Sequence, residues 1–380
     1  MKPQETHSPD PDAHPSAEAT TTDRRTVMAG LAGLGAGRLV GAALGGASGA
    51  PPAAAAPAAW PALEITNGPI RAQLALPDRE KGYYRGTRFD WTGVITSLEC
   101  EGHRYYGPWF DRTDPSVRDF IYDGQEIVAG ACSAVTGPVD EFSTRGAGLG
   151  FEAAKPGGLF LKIGVGVLRK PDSGRYDPFT LSEIVDGGRW DVRPGKDRIG
   201  FTHEVADPGS GYAYRYEKRV RLSGDRPELV LEHTLHNTGA LPIESETYNH
   251  NFLVLDRQPT GPDFEVRAPF ALRAQRPPDP SLAEIAGTTV RYRKTRVERD
   301  TVYTGLEGFS DSPRDYDFHI ENRKLGAAVR VRGDRPLVRL ALWSIRSTLC
   351  LEPFLRLRVE PGGTFRWTYR YEYGRPAARS

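Results

Sequence analysis

Alternation with a period of two is the feature that most constrains this chain. From Phe365 it reads FRWTYRYEY, which puts Phe365, Trp367, Tyr369, Tyr371 and Tyr373 on one side and Arg366, Thr368, Arg370 and Glu372 on the other. That pattern describes a half-buried antiparallel strand, not a helix. GYAYRYEKRVRL from Gly211 alternates in the same way, and ELVLEHTLH after it runs into the turn NTGALP. LFLKIGVGVL, FTHEV, AAVRVRG and PLVRLALW supply further strands. SLAEIAG near Ser281 is the one segment expected to make a turn or two of helix. With 42 Gly and 31 Pro in 380 residues, the expectation is an all-β fold of antiparallel sheets with few short helices. The proline-rich stretch from Gln275 to Gly287 reads as a loop or insertion between two strand-rich blocks of one large domain, residues 60–380.

Residues 1–59 stand apart. They hold none of the 37 aromatic residues and lead from TTDRRTVMAGLAGLGAG to PPAAAAPAA. The pair Arg24–Arg25, the weakly apolar stretch and the small-residue tract resemble a twin-arginine export signal. The expected location is therefore outside the cytoplasm, with the leader removed near Ala59. Past the leader apolar runs are short, and no transmembrane span is expected. The remainder carries 46 basic against 44 acidic residues. Such near neutrality gives no footprint for nucleic acid or an anionic membrane. Cys100, Cys132 and Cys350 are odd in number and show no metal-site spacing, so buried free thiols are expected, with no disulfide framework and no metal.

Six histidines follow the leader. His233 and His236 are three apart on a strand, point to opposite faces and read as surface or packing residues. His203 and His319 read as ordinary strand residues, while His103, in EGHRYYG, is either structural or close to substrate. His250 differs, because ESETYNHNFLVLD packs Tyr248, Asn249, His250 and Asn251 ahead of an apolar run. Asparagine is unfavourable in strands, so two of them beside a histidine suggest a site overriding local preference. Glu352, in STLCLEPFLRL, is a carboxylate among apolar neighbours. It is either a desolvated general base or the partner of an arginine such as Arg346 or Arg356. A third cluster, GYYRGTRFDWTG with GHRYYGPWFDR, gathers Arg85, Arg88, Trp91 and Trp109. This mixture suits a sugar, since aromatic faces take its C–H surface and arginines its hydroxyls.

Two of these segments resemble the aldose 1-epimerase (galactose mutarotase-like) superfamily. LVLEHTLHNTGALPIESETYNHNFLVLD has the family's strand ending in Asn-Thr-Gly, the short turn and the Asn-His pair followed by Phe. LCLEPF…PGG resembles its closing strand, with a glutamate before a Pro-Gly turn. The resemblance implies a β-supersandwich that holds a mono- or oligosaccharide in a cleft, with no cofactor. It also implies that His250 is the acid protonating the ring oxygen and Glu352 the base taking the anomeric proton. Arg85, Arg88, Trp109, Tyr248, Asn249 and Asn251 are then the expected sugar contacts. His250 and Glu352, 102 positions apart in sequence, are expected to flank one sugar, separated by about the span of its ring. RGTRFDW stands where the family has an earlier Asn-Arg motif, which marks a divergent branch. A polysaccharide lyase or glycoside-processing enzyme on the same fold, and a non-catalytic sugar-binding module, are the alternatives.

Overall fold

Alternating residues build the centre of the molecule. In the computed structural model, which describes residues 59–376, Glu228–Asn237 pairs antiparallel with Thr364–Gly374. Leu229, Leu231, His233 and Leu235 stand opposite Tyr371, Tyr369, Trp367 and Phe365. Tyr212–Leu222 joins on the other side with Tyr214, Tyr216, Lys218 and Val220 buried. These strands centre a ten-stranded antiparallel sheet that runs from Arg189–Pro194 to the Ala283–Ala286 edge. Its outward positions carry opposite charges across neighbouring strands, as in Arg330 with Asp317 and Arg370 with Glu228.

A second, six-stranded sheet lies against the inner face of the first. Its order is Arg273–Ala274, Val302–Glu307, Arg339–Ile345, Thr348–Val359, Ile243–His250 and Val139–Ser143. Leu340, Leu342, Leu351, Leu355 and Leu357 turn into the shared core, where Phe142 meets Tyr216 and Trp367 edge-on. The result is the all-β sandwich that the alternation predicts. Helix among the described residues amounts to two 3-10 turns, Leu255–Arg257 and Pro313–Asp315. The expected export leader lies outside the described residues except for Ala59.

Two local expectations are corrected. SLAEIAG turns only at its start, where the Leu282 and Ala283 N–H groups donate to Asp279 O, and continues as a strand; Ala283–Ala286 pairs with Thr289–Tyr292 around a two-residue turn that puts Gly287 at φ 60°. Tertiary pairing overrides the helical preference of Ala, Glu and Leu here. LFLKIGVGVL folds back on itself as a hairpin, Leu159–Lys162 with Gly166–Arg169, because Gly164 (φ 79°) and Gly166 (φ 138°) take conformations other residues avoid. The proline-rich stretch does act as a connection, from the edge strand Arg273–Ala274 of the smaller sheet to the edge strand Ala283–Ala286 of the larger one.

The sandwich interior contains charge. Lys218 and Asp140, both with fully buried side chains, meet at 2.6 Å, and Asp90 lies 3.7 Å from the same ammonium. His233 Nε2 donates to Asp140 at 3.2 Å, and the Asn249 amide donates to its other oxygen at 2.9 Å. His233 is thus a packing residue, stacked on Trp367 at 4.7 Å, and burial holds it below the usual histidine range, hence neutral. Burial would push Asp140 up, but Lys218 and His233 outweigh it and hold the carboxyl below its usual range. Asp90 is farther from the ammonium, and burial, only partly offset by Lys218, pushes it up to about 6.

The two aspartates should therefore behave oppositely. Asp140→Asn strips Lys218 of its near partner and is expected to cost about 3–5 kcal/mol in urea unfolding, whereas Asp90→Asn should cost little. The folded chain holds the Asp90 proton more tightly than the unfolded chain does, so this group's contribution to stability is present at acid pH. It is lost as the pH rises from its ordinary 3.8 towards 6. Wild type should lose stability relative to Asp90→Asn over that interval; parallel pH profiles would contradict the assignment.

Candidate functional site

The face of the six-stranded sheet turned away from the core holds the site. Because side chains alternate, the register that buries Leu355 and Thr247 sends Phe354 and Tyr248 to the opposite face. Arg339, Phe354, Tyr248 and Glu141 are mutual neighbours across four strands and form one row. The Arg339 guanidinium lies 3.7 Å over the Phe354 ring, which stacks on Tyr248 at 4.2 Å. The Tyr248 hydroxyl donates to Glu141 at 2.6 Å, and Arg88 Nε donates to the same carboxylate at 2.7 Å. Lys162 stands 3.6 Å from it on the other side. Burial would raise Glu141, but Arg88 and Lys162 outweigh it and hold the carboxyl below its usual range. Reciprocally, burial alone would lower Arg88, and Glu141 more than compensates.

Two residues along each strand lies the next row: Ala341, Glu352, His250 and Val139. Here His250 Nε2 is 3.3 Å from Glu352 Oε1. Both residues are buried, at 4% and 5% exposure. The arginines weighed as partners of Glu352 are engaged elsewhere, Arg356 facing Glu246 at 3.7 Å and Arg346 donating to Gln125. Ala341 and, beyond it, Gly305 put only a methyl group and a hydrogen in the row beside Glu352. The His250 ring lies flat on Phe252 at 3.8 Å and meets Phe89 and Trp343 edge-on at 5.6 and 5.8 Å. Aromatic walls of this kind fix an imidazole plane and suit the C–H face of a sugar.

The structure brings His250, Glu352, Tyr248 and Arg88 together on one face. It does not do so for the other expected contacts. Asn249 is one residue from His250 and so points through the sheet into the core, donating to Asp140 and accepting from Tyr371 at 2.8 Å. The Asn251 amide is also buried, donating to Leu351 O and Asn249 O and accepting from Tyr371. Both asparagines hold the strands in place, and the expectation that they touch sugar is corrected. Trp109 donates to Val135 O and stacks on Phe252 at 5.5 Å, which sets it one ring behind the ring that backs His250. Arg85 is exposed on a separate cavity lined by Trp91 and Tyr83. The expected spacing of the pair is corrected too, from the span of a ring to direct contact. Of the remaining histidines, His103 is structural, pairing with Asp256 at 2.7 Å.

Glu141, Lys162, Phe252, Trp343 and Phe354 were not singled out from sequence. The adjacent acids Asp140 and Glu141 in VDEFS held a signal, since two carboxylates rarely sit inside a buried strand without partners on both faces. Among the described residues no group of three or more His, Cys, Asp and Glu side chains is placed to hold a metal ion. All three cysteines are buried and unpaired, as expected.

The buried cluster gives a graded prediction. Glu141→Gln removes the counter-charge of Arg88 and Lys162 and should cost about 3–5 kcal/mol. Tyr248→Phe removes the hydroxyl that donates to Glu141 and accepts from Arg88 but leaves those two charges paired with each other, and should cost about 1.5–3 kcal/mol. Chemical denaturation separates the two, and equal losses would contradict this division of labour.

No protein-family model matches the chain, and no curated protein does. Among solved structures it is similar to a putative aldose 1-epimerase from Escherichia coli K12, at 13% identity over 83% of this chain and 99% of that one, TM-score 0.46. It is similar to an aldose epimerase homologue from C. elegans, at 13% identity over 83% and 99%, TM-score 0.48. A galactose mutarotase-like protein from Lactobacillus casei ATCC 334 matches at 10% identity over 82% and 99%, TM-score 0.46.

Proposed function

We propose that this chain is a carbohydrate-active enzyme of the aldose 1-epimerase type, with His250 as general acid and Glu352 as general base. The carrying observation is the 3.3 Å approach of these two side chains, which lie far apart in sequence and meet on one aromatic-walled sheet face. The reaction asks for such closeness. The ring oxygen and the anomeric hydroxyl are bonded to the same carbon, so the acid and the base must reach two neighbouring oxygens.

The steps follow from the pair. With its Nε2 protonated, His250 is already a donor facing a carboxylate acceptor. Sugar entry exchanges that mutual contact for two hydrogen bonds to the sugar: His250 Nε2–H donates to the ring oxygen, and Glu352 accepts from the anomeric hydroxyl. Proton transfer from His250 and to Glu352 opens the ring to an aldehyde. Rotation about C1–C2 presents the other carbonyl face, and the same two groups, now with reversed roles, close the ring. Tyr248 and Arg88 are tied to Glu141 and act as rigid neighbours that fix the strand carrying His250.

The competing enzyme readings find less support. A lyase needs a cation to neutralise a uronate carboxylate beside the base, yet of the two candidates Arg88 is committed to Glu141 and Arg85 stands on a cavity separate from His250 and Glu352. An inverting hydrolase needs a second carboxylate for water. Glu141 is occupied by Arg88, Tyr248 and Lys162, which lower its basicity. Glu246 is engaged by Arg339 and Arg356, Glu244 faces Arg358, and Asp90 lies on the core side.

Addition of the protein should speed the return of freshly dissolved α-aldoses to anomeric equilibrium, followed by polarimetry. His250→Ala and Glu352→Gln should each slow that step by about 10²–10⁴-fold. No acceleration on any aldose, with ultraviolet absorbance rising on uronic-acid polymers, would overturn the reading in favour of a lyase. Sugar binding without turnover, indifferent to Glu352→Gln, would overturn it in favour of a binding module.

A further inference from the structure

The loop from Tyr83 to Trp91 faces two ways. Arg88 and Phe89 reach the His250 face, one bonded to Glu141 and the other edge-on to the imidazole. Tyr83, Tyr84, Arg85 and Trp91 line a different cavity of about 540 Å³, to which Arg79 and Glu183 also contribute. Its volume falls in the range that holds a small organic ligand. None of its lining residues belongs to the His250–Glu352 rows.

Charge in this cavity is unbalanced. Arg79 Nη2 donates to the carbonyl of Ile184 and Arg85 Nη1 to that of Glu80, each at 2.9 Å. One bond apiece among the described residues anchors the two guanidinium groups, and their remaining N–H donors face solvent. Among the described residues neither arginine has a carboxylate within 4.0 Å. The nearby acids, by contrast, are engaged. Glu183 is gripped by Arg169 through two bonds of 2.7 and 3.3 Å, which with Arg169 outweighing burial holds it below the usual range. Asp78 accepts the backbone N–H groups of Glu80 and Lys81 at 2.8 Å. Arg79 lies in the field of Glu183 and Arg85 in that of Asp78, but both acids are bonded elsewhere, and two guanidinium groups sharing a lining with Tyr83, Tyr84 and Trp91 suit a planar anion attached to a ring.

We propose that this cavity binds a carboxylate-bearing sugar unit, a uronate. The carboxylate takes the fork of Arg79 and Arg85, and the ring lies against the aromatic side of the cavity. The site is one aromatic layer from the imidazole: the Tyr84 hydroxyl accepts the Phe89 N–H at 3.1 Å, the two rings pack at 6.1 Å, and Phe89 touches His250. Occupancy therefore bears on the ring that positions the proposed acid. The proposal stands on this cavity's own residues and does not require anomer exchange to be the reaction.

Titration calorimetry of the whole protein with glucuronate, and with glucose as the neutral control, tests it. Glucuronate should bind and glucose should bind at least tenfold more weakly, with the glucuronate affinity falling as salt rises. Arg79→Ala and Arg85→Ala should each weaken glucuronate binding about tenfold or more, and the double variant should abolish it. Both positions are exposed, so the variants should keep the wild-type circular dichroism. Equal affinity for the two sugars, or glucuronate binding retained in the double variant, would overturn the proposal. Anomer exchange of glucose in the same samples reports separately on the reaction proposed above.

Discussion

Everything on the His250 face depends on the register in which Ile243–His250 is locked between Val139–Ser143 and Thr348–Val359. In a strand a slip of one residue exchanges the two faces, so it would send His250 into the core and Asn249 out of it. Apolar residues alone define that choice weakly, because Leu, Val and Tyr are tolerated on either face. The buried polar groups define it sharply. Asn249 has partners only where Asp140 and Tyr371 await it, and Asp140 is itself held by Lys218 from the opposing sheet. A displaced strand would take the Asn249 and Asn251 amides away from one oxygen of Asp140 and from the Tyr371 hydroxyl, leaving dry polar groups that each cost more than a lost apolar contact.

The same alternation divides labour between neighbouring residues. Asp140 serves the core while Glu141 serves the outer face, and Asn249 serves the core while Tyr248 and His250 serve the outer face. Structural rigidity and candidate chemistry are thus interleaved residue by residue along two adjacent strands. A side chain on the His250 face is held from behind by polar bonds through its own backbone neighbour, and from the side by Phe252 and Trp343. That is the kind of support a proton-transferring pair requires, because small misplacements cost rate steeply.

How much of this was legible in the sequence follows from which interactions are local. The strands at Gly211–Leu222, Glu228–His236 and Phe365–Tyr373 were legible because their pattern is written within a few residues. His250 and Glu352 were legible as polar anomalies in apolar strands. Their contact was not, since it depends on which strands become neighbours and in what register, a long-range outcome. Asn249 and Asn251 were misassigned through proximity in sequence, although the period-two rule that set His233 and His236 on opposite faces applies equally to Asn249 beside His250. The SLAEIAG strand was hidden because pairing with Thr289–Tyr292 outweighs local propensity. Trp109 looked like a sugar platform because an aromatic residue carries the same signal whether it lines a cleft or packs behind one.

The central claim is that His250 and Glu352 act as one unit on a single sugar. The most direct measurement is anomer exchange by magnetisation-transfer NMR in wild type, the two single variants His250→Ala and Glu352→Gln, and the double variant. Groups that act only in concert lose nearly all their effect when either is removed. The double variant should therefore exchange anomers no more slowly than the slower single variant. Losses that multiply independently, or exchange that survives in either single variant, would contradict it.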